Sequence, residues 1–261
     1  MPTSRQATAV SVLAALLGVM LTVLLAGCES ADNSGNGPAT TGTTPSANAS
    51  PRPSGSTLEG KFSYDTIDDY VNAVIPLMTQ WTGATWPQMS QPRVRYVPNG
   101  ASGPEDCVDQ NGQAATYTAQ SYEYCGADNT IYLGQNSLWG FYTRTGDAGP
   151  AVALAHEYGH HVQQQAGVPS PSTPKESINH ENQADCIAGA WTRYADEQGW
   201  LEYPDDLKDI EQLFPLIGSG EGPERDHGTT AERVKSFQLG QSNGIAACNS
   251  FYPQTPLTSN R

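Results

Sequence analysis

The sequence predicts an α+β domain, mainly helical, with a small β-sheet. Three observations carry this. Apolar residues recur at helical spacing over 67–81 and through most of the second half of the chain. Three short runs between 93 and 133 are rich in Tyr, Val, Thr and Ile and are separated by Gly, Asn and Asp. Before them, Glu29–Thr57 is Ser, Thr, Gly, Asn, Ala and Pro with almost no large apolar side chain, too little to bury a core.

At the N-terminus, Arg5 precedes an apolar stretch, 9–26, that ends in Leu25-Ala26-Gly27-Cys28. A basic start, an apolar core and small residues before a cleavage point describe an export signal. The last four residues resemble a bacterial lipobox, which implies a signal peptide over 1–27 and a lipidated Cys28. The alternative is an uncleaved membrane anchor with an incidental cysteine. Either way the remainder is expected outside the cytoplasm, with a flexible tether over 28–57, a folded domain over 58–252 and a flexible tail over 253–261.

Within the domain, Ile67, Tyr70, Val71, Val74, Ile75, Met78 and Trp81 predict an amphipathic first helix, with Pro76 as a possible kink. Arg93–Val97, Ala115–Tyr124 and Thr130–Leu133 read as strands. Gly149-Pro150 opens a second helix that stops near Gly167. Thr173, three residues before Glu176, marks a capping-box start for a third helix to about Gly199. A fourth covers Asp205–Ile217, and Thr229 caps a fifth through about Leu239. The last twenty or so residues look irregular.

The chain has 261 residues and a formal net charge of −14. That surface repels phosphate backbones, so nucleic acid is excluded as a partner. With Cys28 lipidated, Cys107, Cys125, Cys186 and Cys248 remain, an even set in an exported chain. Three pairings are possible. The favoured one is Cys107–Cys125, closing a local loop, with Cys186–Cys248 tying the C-terminal tail to a helix.

The chemistry centres on Leu154–Gln163, LAHEYGHHVQ, in which His156-Glu157-Tyr158-Gly159-His160 spells H-E-x-x-H. On a helix advancing about 100° per residue, His156 and His160 lie roughly 40° apart and can present two imidazoles to one ion, with Glu157 beside them. His161 points elsewhere. Zinc suits such a site, but a hydrolytic zinc needs a third protein ligand and one open position. The extension H-x-x-G-x-x-H fails, because Gln163 and Ala166 stand where glycine and histidine are required. Glu181 on the next helix is the better candidate, with Asp185 one turn on to fix the tautomer of a ligand histidine. Packing through Ala184, Ala188 and Gly189 would bring it close. His180 is the lesser alternative, and a solvated acidic stripe the bland one. Downstream, His227 precedes a helix and could donate to a developing oxyanion. Arg233 could fix Asp226, fix a carboxylate near the metal, or donate to substrate. An N-cap turn with a surface His and Arg is the plainer reading of both.

LAHEYGHHVQ, ENQADCIAGAW and HGTTAERV, with YCGADNTIYLG upstream, resemble the signature blocks of the bacterial family known as putative neutral zinc metallopeptidases, over roughly residues 60–250. Asn182 departs from the leucine usual in the second block. The order H-E-x-x-H, E-x-x-x-D, H-x-x-x-x-x-R is also similar to the prenyl-protein-processing metalloproteases, in which the late His and Arg serve the active site. The resemblance implies a zincin-like metallopeptidase domain with one Zn2+ per chain on His156, His160 and Glu181. Glu157 would be the general base, His227 and Arg233 would serve catalysis, and a peptide or protein would be the substrate. The strand Thr130–Leu133 is the expected sheet edge for that peptide. A zinc amidase acting on cell-wall peptides and a non-catalytic lipoprotein with a relic site are the alternatives.

Overall fold

The computed structural model describes residues 58–103, 107, 116–220, 222 and 225–258. The export signal, Cys28 and the tether lie outside the described residues. The domain is α+β as expected, mainly helical with one three-stranded sheet. Among the described residues no helix is long and apolar enough to cross a membrane.

Helix α1, Ile67–Thr85, starts with Asp68 and Asp69 in its first turn, where carboxylates complement the helix dipole. It buries Ile67, Tyr70, Val71, Val74, Met78 and Trp81 and accommodates Pro76 internally. The sheet follows, with β1 at Arg93–Val97, β2 at Tyr122–Cys125 and β3 at Thr130–Gly134, in the order β1-β3-β2. β1 runs parallel to β3 and β2 antiparallel. All five residues of β3 are buried. The expectation that Thr130–Leu133 forms the sheet edge is therefore corrected: it is the central strand, and β2 is an edge. β2 is also shorter than the run 115–124 suggested. Residues 116–121 make turns whose Ala119 carbonyl accepts from Asn136 and Ser137.

Helix α2, Gln135–Thr145, is an element the sequence reading missed. Leu138, Tyr142 and Thr145 are buried on one side of it. Helix α3, Ala148–Ala166, carries H-E-x-x-H through the centre of the domain and ends at Gly167 in the left-handed conformation. Helix α4, Pro174–Glu197, has Thr173 as N-cap, accepting from Glu176 N at 3.2 Å. The Glu176 carboxylate turns back to Ser172, so the full box is not formed there. Helices α5, Asp205–Ile217, and α6, Thr230–Asn243, complete the set, and α6 has a complete capping box between Thr229 and Glu232.

Two close approaches set the helix positions. A Cβ on Gly159 of α3 would meet Ala184 of α4 at 3.0 Å from its Cα. A Cβ on Gly189 of α4 would lie 2.0 Å from the Phe237 carbonyl of α6, and one on Gly240 of α6 would lie 1.8 Å from the Cys186 carbonyl of α4. Ala184 thus faces α3 as expected, whereas Gly189 faces α6.

The structure contains the disulfides Cys107–Cys125 and Cys186–Cys248. The second joins α4 to a short 3-10 turn, Ile245–Ser250. Described residues 253–258 fall within the span 253–261 expected as a flexible tail. Leu257 is buried, and its carbonyl accepts from Trp86 Nε1 at 2.8 Å.

Candidate metal centre

α3 and α4 bring His156, His160 and Glu181 together, with one ligand atom from each lying within 4.8 Å of the others. The two Nε2 atoms are 3.1 Å apart. Glu181 Oε2 lies 3.2 Å from His156 Nε2, and Oε1 lies 3.3 Å from His160 Nε2. A tetrahedral zinc with bonds of about 2.0–2.1 Å separates its ligand atoms by roughly 3.3–3.4 Å, so the three donors are spaced as neighbours on one ion.

Each ring's other nitrogen is engaged on the far side. Asp185 Oδ1 accepts from His156 Nδ1 at 2.8 Å, and Gln163 Oε1 accepts from His160 Nδ1 at 2.9 Å. With those protons on Nδ1, both Nε2 atoms present lone pairs toward a carboxylate. Three converging lone-pair donors repel unless a proton or a metal cation lies among them. The electrostatics agree. Burial lowers the pKa of both rings, yet Asp185 and Glu181 outweigh it at His156 and raise it to about 10. Glu181 does the same in direction at His160. Burial would raise Glu181, but the two imidazoles hold it well below its ordinary range. The donor set fits a divalent cation that prefers imidazole and carboxylate.

Glu157 is buried beside the ligands, and its Oε2 accepts from Tyr124 N of β2 at 2.8 Å. Burial raises its pKa, opposed by His156 and His160, which is the direction a general base needs. His227 is half-exposed at the rim of the same cleft, with Nε2 3.6 Å from Glu181 Oε2 and Nδ1 2.8 Å from Asp226 Oδ1. A Cβ on Gly228, the next residue, would sit 2.7 Å from Asn182 Oδ1 and 3.0 Å from Arg233 Cγ.

Arg233 reaches the site through Asp185. It is buried, donating from Nε to Asp185 Oδ2 and from Nη2 to Asp185 Oδ1, both at 2.9 Å, and from Nη1 to the Ile217 carbonyl. Of its three possible roles, the geometry gives it the carboxylate near the metal. His161 turns away, its Nε2 donating to the Ser90 carbonyl at 2.6 Å. His180 is not in the donor set either. It stacks on His160 with ring centroids 5.4 Å apart.

The cleft over these residues has a volume of about 950 Å³ and is bordered by β2 on one side and by His180 and His227 on the other. A smaller recess of about 280 Å³ continues past His156 and Glu157 to Phe141, Ala153 and Ile217. Tyr124, Gln163 and Gln183 are contributors the sequence reading did not assign. Only Gln163 left a local sign, standing three residues after His160 on the same helix.

A family model described as "Putative neutral zinc metallopeptidase" matches residues 6–251. The chain is 31% identical over 157 residues to "Uncharacterized protein YpfJ" of Escherichia coli (strain K12), covering 49% of this chain and 53% of that protein. It is 30% identical over 151 residues to "Uncharacterized protein Rv2575" of Mycobacterium tuberculosis (strain ATCC 25618 / H37Rv), covering 46% of this chain and 51% of that protein. The chain thus matches about half the length of these relatives. No solved structure matches it.

Proposed function

Because the chain belongs to the putative neutral zinc metallopeptidase family, we propose that it is a zinc-dependent endopeptidase working with Glu157 as general base. His156, His160 and Glu181 would hold the ion. When bound, zinc would lower the pKa of a water it binds toward about 7 and polarise the scissile carbonyl. Glu157 is oriented for the proton transfers: Tyr124 N–H fixes Oε2, so Oε1 takes the proton of the attacking water and returns it to the leaving amine. With Nδ1 held by Asp226, His227 would present Nε2 to the charge that develops on the carbonyl oxygen. Asp185 would act through His156, and Arg233 through Asp185.

The substrate lies along β2. Ser121 O accepts from Gly134 N, while Tyr124 N turns to Glu157, so alternate backbone groups of β2 face away from β3. The N–H and C=O of Tyr122 are then offered to an extended peptide, which pairs by main chain and leaves sequence selectivity loose. The same reading puts the domain outside the cytoplasm, on a lipid at Cys28. Its supports are Leu25-Ala26-Gly27-Cys28 after an apolar stretch and two disulfides, which persist in oxidising compartments.

The observation that carries the reading is the convergence of three ligand atoms with a buried carboxylate beside them. Metal analysis of wild type, Glu181→Ala and Glu157→Gln, followed by cleavage profiling on a peptide library, tests it. Wild type should hold one zinc and Glu181→Ala should lose it. Glu157→Gln should keep zinc while kcat falls by about 10²–10⁴-fold. Undiminished cleavage by Glu157→Gln overturns the mechanism. Release of peptide from purified peptidoglycan, with casein left intact, would redirect the substrate to the cell wall.

A further inference from the structure

We propose that Gln163 and Gln183 are positioning residues for the metal site, forming a one-way relay of hydrogen bonds that decides which nitrogen of His160 faces the ion. The inference rests on the metal-binding reading above and adds a cause for it.

The relay starts from two backbone carbonyls. Gln183 Nε2 donates to the Cys248 carbonyl at 3.0 Å, and Gln163 Nε2 donates to the His180 carbonyl at 2.7 Å. A carbonyl oxygen only accepts, so the amide nitrogen of each glutamine must be the end that faces it. Gln183 therefore turns its oxygen the other way, where it accepts from Gln163 Nε2 at 3.0 Å. Gln163 in turn has its oxygen toward His160 Nδ1, at 2.9 Å. An amide oxygen has no proton to give, so His160 must donate from Nδ1. The lone pair is then on Nε2, 3.1 Å from His156 Nε2 and 3.3 Å from Glu181 Oε1. Reversing either amide would set two oxygens against each other inside the protein. Gln163, Gln183 and Cys248 are all 0% exposed, so water does not relieve such a clash, and an unsatisfied buried polar group is costly.

The relay does for His160 what Asp185 does for His156, with a neutral amide in place of a carboxylate. It also ties the site to the C-terminal turn, because Cys248 is joined to Cys186, the residue after Asp185. The two ligand histidines are thus oriented from neighbouring points on one disulfide-bonded unit.

Zinc affinity by chelator competition, with proton NMR of the zinc-loaded protein, tests the relay in wild type, Gln163→Leu and Gln183→Leu. In wild type, His160 Nδ1–H should give a downfield resonance protected from solvent exchange. Gln163→Leu should lose that protected resonance and weaken zinc binding by about 10–100-fold, as loss of a ligand's outer partner does. Gln183→Leu should weaken it less, since the His180 carbonyl still orients Gln163. A folded Gln163→Leu that keeps both the resonance and wild-type affinity overturns the proposal. If Gln163→Leu does not fold, a Gln183→Leu protein with unchanged affinity and unchanged exchange of that proton overturns it instead. Failure of wild type to bind zinc would sink the functional reading, whereas equal binding by wild type and variants sinks only the relay.

Discussion

Two groups of buried and half-buried side chains lie along α3, and both have ligand atoms within 4.8 Å of one another: His156, His160 and Glu181 near its middle, and Asp147, Asp206 and Asp209 at its N-terminal end. Proximity alone does not distinguish them; their outer partners do. In the first group each imidazole is held from behind, and Asp185 is itself held by Arg233, so the lone pairs are fixed in direction and the surroundings favour positive charge. In the second, backbone N–H groups meet the carboxylates, Ala148 N at Asp209 Oδ2 and Glu202 N at Asp206 Oδ2. There Asp209 is pushed up to about 7, by burial first and then, against the Ala148 N–H, by Asp147 and Asp206. The donors of the first cluster fit a cation. In the second, burial and the neighbouring carboxylates favour a proton on Asp209. A metal site is therefore recognised by what stands behind the ligands.

Three measurements would break or sharpen that contrast. The largest effect is expected from Arg233→Met. It leaves buried Asp185 with His156 as its remaining positive partner, and removing one partner of a buried pair costs up to about 3–5 kcal/mol. Denaturant unfolding of the metal-free protein measures this, and a loss under 1 kcal/mol would remove Arg233 from the argument. Next, Asp185→Asn keeps the shape but not the charge behind His156, and zinc affinity should fall by about 10–100-fold. Chelator competition checks it. Asp209→Asn should have the smallest effect, and it appears only as a pH dependence. The folded-state pKa, about 7, lies above the ordinary 3.8, so the folded protein binds this proton more tightly. Its stabilisation is full below pH 3.8 and is lost as pH rises through about 7. Between pH 5 and 8 wild type should therefore lose more Tm than Asp209→Asn, by on the order of a few degrees. Identical slopes would remove the proton from the second cluster.

Local spacing carried much of this structure into the sequence. The pair His156 and His160 follows from helix geometry, as does the i, i+4 placement of Glu181 and Asp185 on α4. The fourth expected helix, Asp205–Ile217, has the bounds of α5. What depended on packing was hidden. The apolar signal of α2, Leu138 and Tyr142 four apart and Thr145 three further on, was interrupted by Gly140 and by Trp139 and Phe141 off the buried stripe. Thr130–Leu133 could be taken for an edge because strand order is set by what packs on each side, and that is not written in the strand itself. Arg233 had three possible roles, on Asp226, on a carboxylate near the metal or on substrate, and only the contact between α6 and α4 brings it to Asp185. The glutamine relay was invisible for the same reason: its members meet across α3, α4 and the C-terminal turn.

That contact between α4 and α6 has a further meaning. At Gly189 and Gly240 no side chain separates the helices, and the backbone of each lies where a Cβ of the other would be. A contact between side chains can relax by changing rotamers, whereas two backbones in contact have no such adjustment. Gly240 touches the carbonyl of Cys186, next in sequence to Asp185, and Arg233 stands seven residues before Gly240 on the same rigid helix. The glycines act as a fixed gauge, holding the two rods at the spacing at which the guanidinium reaches its carboxylate.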